Sequence, residues 1–201
     1  MADDSKQVPR GAIKGIAFGI LLMGFFTSIW LGIASSALSG IYYLLCLGVL
    51  LTVLVSFVVY AIGLLISSKE FPPTKQEDKA EGSRMQIWYG VIFGLEGLLI
   101  GATCGILSAK GLDNYIVPSI ALIVGIHFYP MVAVFHRKFD YLTGTWTTAI
   151  AITTIFLQAR KITALPQAFF MVGLATAIAT ISYGIFMMTE AEKYKARGKG
   201  R

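Results

Sequence analysis

Charge is what this sequence has least of. Aspartate, glutamate, lysine and arginine make up 14% of its 201 residues, where a soluble domain carries about a quarter. The few charges are also segregated at the two ends and between long apolar runs, which a water-facing globule would not do. Cysteine is nearly absent. Cys46 and Cys104 stand alone, with no CxxC and no Cys/His cluster, so neither a metal nor a cofactor is expected. There is no glycine-rich nucleotide loop, no HExxH and no Ser/His/Asp set. The net charge of +6 does not point to nucleic acid. Its lysines and arginines are spread over loops and tails, not gathered in a groove with interleaved aromatics.

What is there is hydrophobic length. The chain is 56% hydrophobic with a mean hydropathy of +0.71. Apolar runs of about 18 residues or more read as membrane-crossing helices. Six are expected, at roughly 13–34, 41–67, 86–108, 115–135, 142–159 and 166–188. The fold class expected is therefore all-α, a polytopic six-transmembrane-helix bundle forming a single domain over 1–201. A mobile cytoplasmic loop is expected at 68–85 and a basic tail at 190–201. The first run ends in Ala34-Ser35-Ser36-Ala37, as a signal peptide would. At nearly twenty residues it is longer than such a segment, so it reads as the first span.

Six crossings put both ends on one side. Fourteen of the seventeen lysines and arginines then share that side, and only Lys110, Arg160 and Lys161 lie opposite. That asymmetry implies an N-in, C-in protein of a cytoplasmic membrane. Expected partners are membrane lipids, a small-molecule or proton ligand, and a second copy of the chain.

Glycine marks the expected packing faces. Gly90, Gly94, Gly97, Gly101 and Gly105 fall within about 80° of arc on the third span, a flat stripe on which another helix could pack closely. The fifth span is rich in threonine. Thr147 lies in its run Thr143-Gly144-Thr145-Trp146-Thr147-Thr148, which either returns hydroxyls to the helix backbone or lines a wet face. Tyr183 adds a phenol on the sixth span.

Two ionisable side chains lie deep in spans: Glu96 in the third and His127 in the fourth. Charged types cost about 2.5–3.5 kcal/mol at mid-membrane, so each needs a partner. Counted from the inner ends of their spans, their depths agree within roughly 3 Å at the helical rise. The short connection between the spans makes them antiparallel neighbours. Glu96 is about 140° around the helix from the glycine stripe, so it looks away from whatever the stripe packs. Pro130 removes the hydrogen bond to the carbonyl of Ile126, and a bare carbonyl at this depth belongs beside protein or water. Tyr129 adds a hydroxyl nearby.

Glu96, His127, Tyr129, Pro130, Thr147 and Tyr183 thus form the substrate- or proton-binding set expected from the sequence. Three readings stay open: a structural polar contact, a binding or transport cavity, and an acid–base centre acting on a lipid-soluble substrate. The segment His127-Phe128-Tyr129-Pro130, followed by Phe135 and the charged run His136-Arg137-Lys138, resembles small uncharacterised six-span bacterial membrane protein families. The resemblance implies the bundle and no activity.

Overall fold

Apolar, helix-permissive sequence broken by short polar turns builds six long helices. The computed structural model of the chain describes residues 8–73 and 76–199. The helices are α1 (Arg10–Ser35), α2 (Gly40–Ser67), α3 (Gln76–Ala109), α4 (Ile116–Phe135), α5 (Lys138–Ala159) and α6 (Leu165–Lys199). Short 3-10 turns at Ser68–Glu70 and Asp113–Tyr115 complete the secondary structure. There is no strand among the described residues.

Five of the six helices, not all six, are long and apolar enough to cross a membrane. The exception is α5. Its threonines and its opening Lys138-Phe139-Asp140 dilute the apolar content that a crossing helix shows to lipid. The structure places much of that polarity inside the protein instead. Asp140, Thr143, Thr147 and Thr154 all fall on the buried face of α5, between α4 and α6.

The expected loop at 68–85 is also much shorter than its composition suggests. α3 already begins at Gln76. Before it, Arg10 ties down the end of α2. Its guanidinium donates to the carbonyls of Ser68 (3.2 Å) and Lys69 (3.0 Å), and its amide donates to that of Pro72 (2.9 Å). The Lys69 carbonyl is one of those that a helix end leaves without an intrahelical partner. The tail from Glu190 to Lys199 continues α6, with Lys193 paired to Glu190 and Lys195 to Glu192.

Packing runs laterally in the order α2, α1, α6, α5, α4, α3. α6 and α1 form the middle, and α3 hangs on one flank against α4. Half of the apolar stretch of α6 is buried, against 11% for α3. Among the described glycines, Gly173 of α6 comes closest to the backbone of another helix. A Cβ there would sit 2.6 Å from the Ala34 nitrogen and 2.7 Å from the Trp30 oxygen of α1. Between α4 and α5, Gly125 and Gly144 meet in the same way, with a Cβ on Gly144 only 3.0 Å from the Gly125 carbonyl oxygen.

The glycines expected to pack a neighbour do not do so within this chain. Gly90, Gly94, Gly97, Gly101 and Gly105 each have open space where a Cβ would be. Glu96 faces α4, and the stripe lies on the other side of α3, where no helix sits among the described residues.

Two apolar clusters fill the bundle. At one end Ile13, Leu64, Phe71, Phe128, Met187 and Ala191 pack together. This brings the start of α1, the end of α2 and the far part of α6 to the same end. Several buried hydroxyls are hydrogen-bonded. Thr27 and Thr180 share a 2.8 Å hydrogen bond between α1 and α6. Thr143 and Thr154 donate to the carbonyls of Phe139 and Ile150, four residues back, the usual return of a helical threonine hydroxyl to its own backbone.

Candidate functional site

The turn between α3 and α4 positions the site. Gly111 takes a φ of 66°, a left-handed conformation that glycine adopts without cost. It reverses the chain in a few residues and makes α3 and α4 antiparallel neighbours. Glu96 and His127 then meet, with Oε1 and Nδ1 3.3 Å apart and both side chains at most 10% exposed. The atoms are close without being aligned as a hydrogen bond, and Nδ1 has no aligned partner among the described residues. The imidazole is held by aromatic rings. Phe93 of α3 meets it edge-on at 5.5 Å, and Phe128 lies 4.3 Å away.

The pair opens onto a cavity of about 780 Å³ between α3 and α4. That volume is in the range of ligand sites. Trp88, Val91, Leu95, Ile126 and Pro130 form much of its apolar wall. Ile126, whose carbonyl loses its helical donor at Pro130, is on the same wall. α4 stays helical through that proline. Arg84 and His136 line one end of the groove, and Leu99 and Ile123 the other.

The structure divides the expected set. Glu96, His127 and Pro130 share the cavity. The other three residues do not line it. The Tyr129 hydroxyl turns to Thr145 of α5, 3.1 Å away. Thr147 is buried on the inner face of α5, and its hydroxyl has no hydrogen-bond partner among the described residues. The Tyr183 hydroxyl donates to Oδ1 of Asp140 at 2.6 Å, with an Arg137 nitrogen 3.4 Å from its oxygen.

Asp140 closes the polar stretch His136-Arg137-Lys138-Phe139-Asp140, yet it is fully buried. Its second oxygen, Oδ2, has no partner among the described residues. Burial pushes its carboxyl up from the ordinary carboxylate range, while the Tyr183 hydroxyl and the Arg137 charge pull it down. Its sequence signal was helical spacing: residues 140, 143, 147 and 154 repeat on one face of α5.

A carboxyl and an imidazole at this separation can exchange a proton or hold a hydrogen-bonding group of a ligand. No group of three or more acidic, histidine or cysteine side chains suited to a metal occurs among the described residues. No family model, curated protein or solved structure matches the chain. The reading of the site therefore rests on its own geometry.

Proposed function

We propose that this is a small transporter, permease-like in character, that takes up a membrane-dissolved small molecule in the α3–α4 groove and uses Glu96 and His127 to bind it or its proton. One observation carries the reading: a single cavity touches both residues and continues to a cationic end. A structural Glu–His contact needs no cavity, and one sealed by packing would serve it better.

The groove lies at the flank of the bundle, so its ligand arrives from the bilayer. In this reading α5 is the sixth crossing, its polar face covered by α4 and α6. Both ends of the chain then lie at the inner face, where fourteen of the seventeen lysines and arginines fall. The host is the cytoplasmic membrane of a bacterium.

Reconstitution into liposomes tests the proposal. The probes are single-chain amphiphiles bearing a fluorophore that dithionite bleaches from outside, with anionic, zwitterionic, cationic and neutral heads. The expected result is that at least one charged probe exchanges between leaflets faster than in protein-free liposomes. Glu96→Gln abolishes the acceleration while the protein still elutes as a folded species. Exchange at the protein-free rate for every probe, or full exchange by Glu96→Gln, refutes the reading.

A further inference from the structure

We infer that the α3–α4 groove holds a single-chain amphiphile with an anionic head, a carboxylate or phosphate monoester, seated at Arg84 and His136 with its chain running toward Glu96 and His127. This rests on the transporter reading and names the substrate class of the same groove.

The groove has the polarity of such a molecule. Its long walls are apolar, with Trp88, Leu95 and Ile126 among them, while Arg84 and His136 line one end. Arg84 is exposed and has no ion-pair partner among the described residues. A guanidinium presents a planar fork that matches carboxylate and phosphate oxygens.

Two other charges near this end, Arg137 and Asp140, are engaged elsewhere. Arg137 is engaged with the Phe135 ring at 4.9 Å and with Tyr183. Asp140 is sealed inside α5's packed face.

His136 itself is held at a φ of 54°, where its amide donates to the Val132 carbonyl at 2.8 Å and closes α4. Glycine is the usual residue at such a position. Here a side chain that can donate to an anion stands at the groove's end instead.

The dimensions also fit one chain. From the basic end to the polar pair is about 18 Å along α3 and about 13 Å along α4 at the helical rise. The head therefore sits at the membrane surface while the chain reaches mid-depth. A cavity of about 780 Å³ is of drug-ligand size, which favours one chain over a two-chain bilayer lipid.

Trp88, on the groove wall, supplies the readout. The full-length protein is placed in nanodiscs of zwitterionic lipid and titrated with octadecanoic acid carrying a mid-chain nitroxide. A parallel titration uses the methyl ester of the same chain. The quenching that disappears in Trp88→Phe is the groove signal. The acid is expected to saturate that signal at concentrations about tenfold below the ester, the scale of one charge-assisted contact. Arg84→Gln combined with His136→Gln should erase the acid's advantage and leave quenching by the ester unchanged, which also shows that the variant is folded.

Equal saturation by acid and ester would overturn the head assignment and leave the groove's transport role standing. Absence of saturable quenching by either chain would remove both. Displacement of the bound acid when the disc lipid is replaced by phosphatidylglycerol would assign the groove to bilayer lipid and overturn the single-chain inference.

Discussion

Adding one methyl group at Gly173 is a sharp test of the bundle. The new Cβ of Gly173→Ala would lie 2.6 Å from the Ala34 nitrogen and 2.7 Å from the Trp30 oxygen. Both are backbone atoms of α1, so no side-chain rotation can relieve the contact. α1 and α6 must separate, which loosens the buried contacts of Trp30, Leu31, Ala34 and Val172. It also lengthens the 2.8 Å hydrogen bond between Thr27 and Thr180, two turns along α6. Overpacking of this kind costs about 1–3 kcal/mol. Against it stands the helix preference of alanine over glycine, at most about 1 kcal/mol. In a membrane that gain shrinks further, because the separated helices remain helical. The net expectation is a loss of about 1–2 kcal/mol.

Gly97→Ala is the control, since a Cβ there meets nothing. It should leave stability unchanged or slightly raised. Thermal unfolding in detergent, followed through the near-ultraviolet signal of Trp30 in the α1–α6 interface, measures both variants. Equal stability of the two would refute the assignment of the tight crossing to Gly173. A loss in Gly97→Ala would mean that the stripe on α3 has a partner that one chain does not supply.

Two further outcomes concern the buried carboxyl of α5. Tyr183→Phe removes the hydroxyl that donates to Asp140 at 2.6 Å, leaving a fully buried carboxyl whose other oxygen already lacks a partner among the described residues. A loss of about 1–3 kcal/mol is expected in the same unfolding assay, and an unchanged midpoint would show that the bond is not formed. The second outcome is a pH dependence. Burial raises the Asp140 carboxyl in the folded protein, so the folded state holds its proton more tightly than the unfolded chain, where the group titrates near about 3.9. The stabilisation is then fully present below that value and is lost as the pH rises through the raised one. Asp140→Asn, which keeps an acceptor for Tyr183, should flatten that decline between acid and neutral pH. An identical pH profile for the variant would sink the argument.

The polar pair was readable because depth along a membrane helix is a matter of counting. Glu96 and His127 fall at matching heights, and a short turn forces their helices together. The structure adds their 3.3 Å separation. The burial of Asp140 is hidden in the sequence because its neighbours, His136, Arg137 and Lys138, are residues that suit a membrane surface. Helical periodicity held the other answer, since Asp140 shares a face with three threonines that pack inward. Arg84 and His136 were unremarkable one at a time. They lie 52 positions apart by their numbering, and only the antiparallel pairing of α3 and α4 brings them to one end of one groove.

Hydrophobic length, charge segregation and turn residues are local properties, so the sequence alone determined an all-helical chain, the approximate helix positions and the isolation of Glu96 and His127. Which faces meet is a property of pairs. The third-span glycines and Gly173 are equally small, and nothing in their own neighbourhoods says which of them a helix will cover. The same holds for α5, whose threonines read as exposed polarity until α4 and α6 are seen to cover them. Tertiary packing decided those matters, because burial depends on what arrives from elsewhere in the chain.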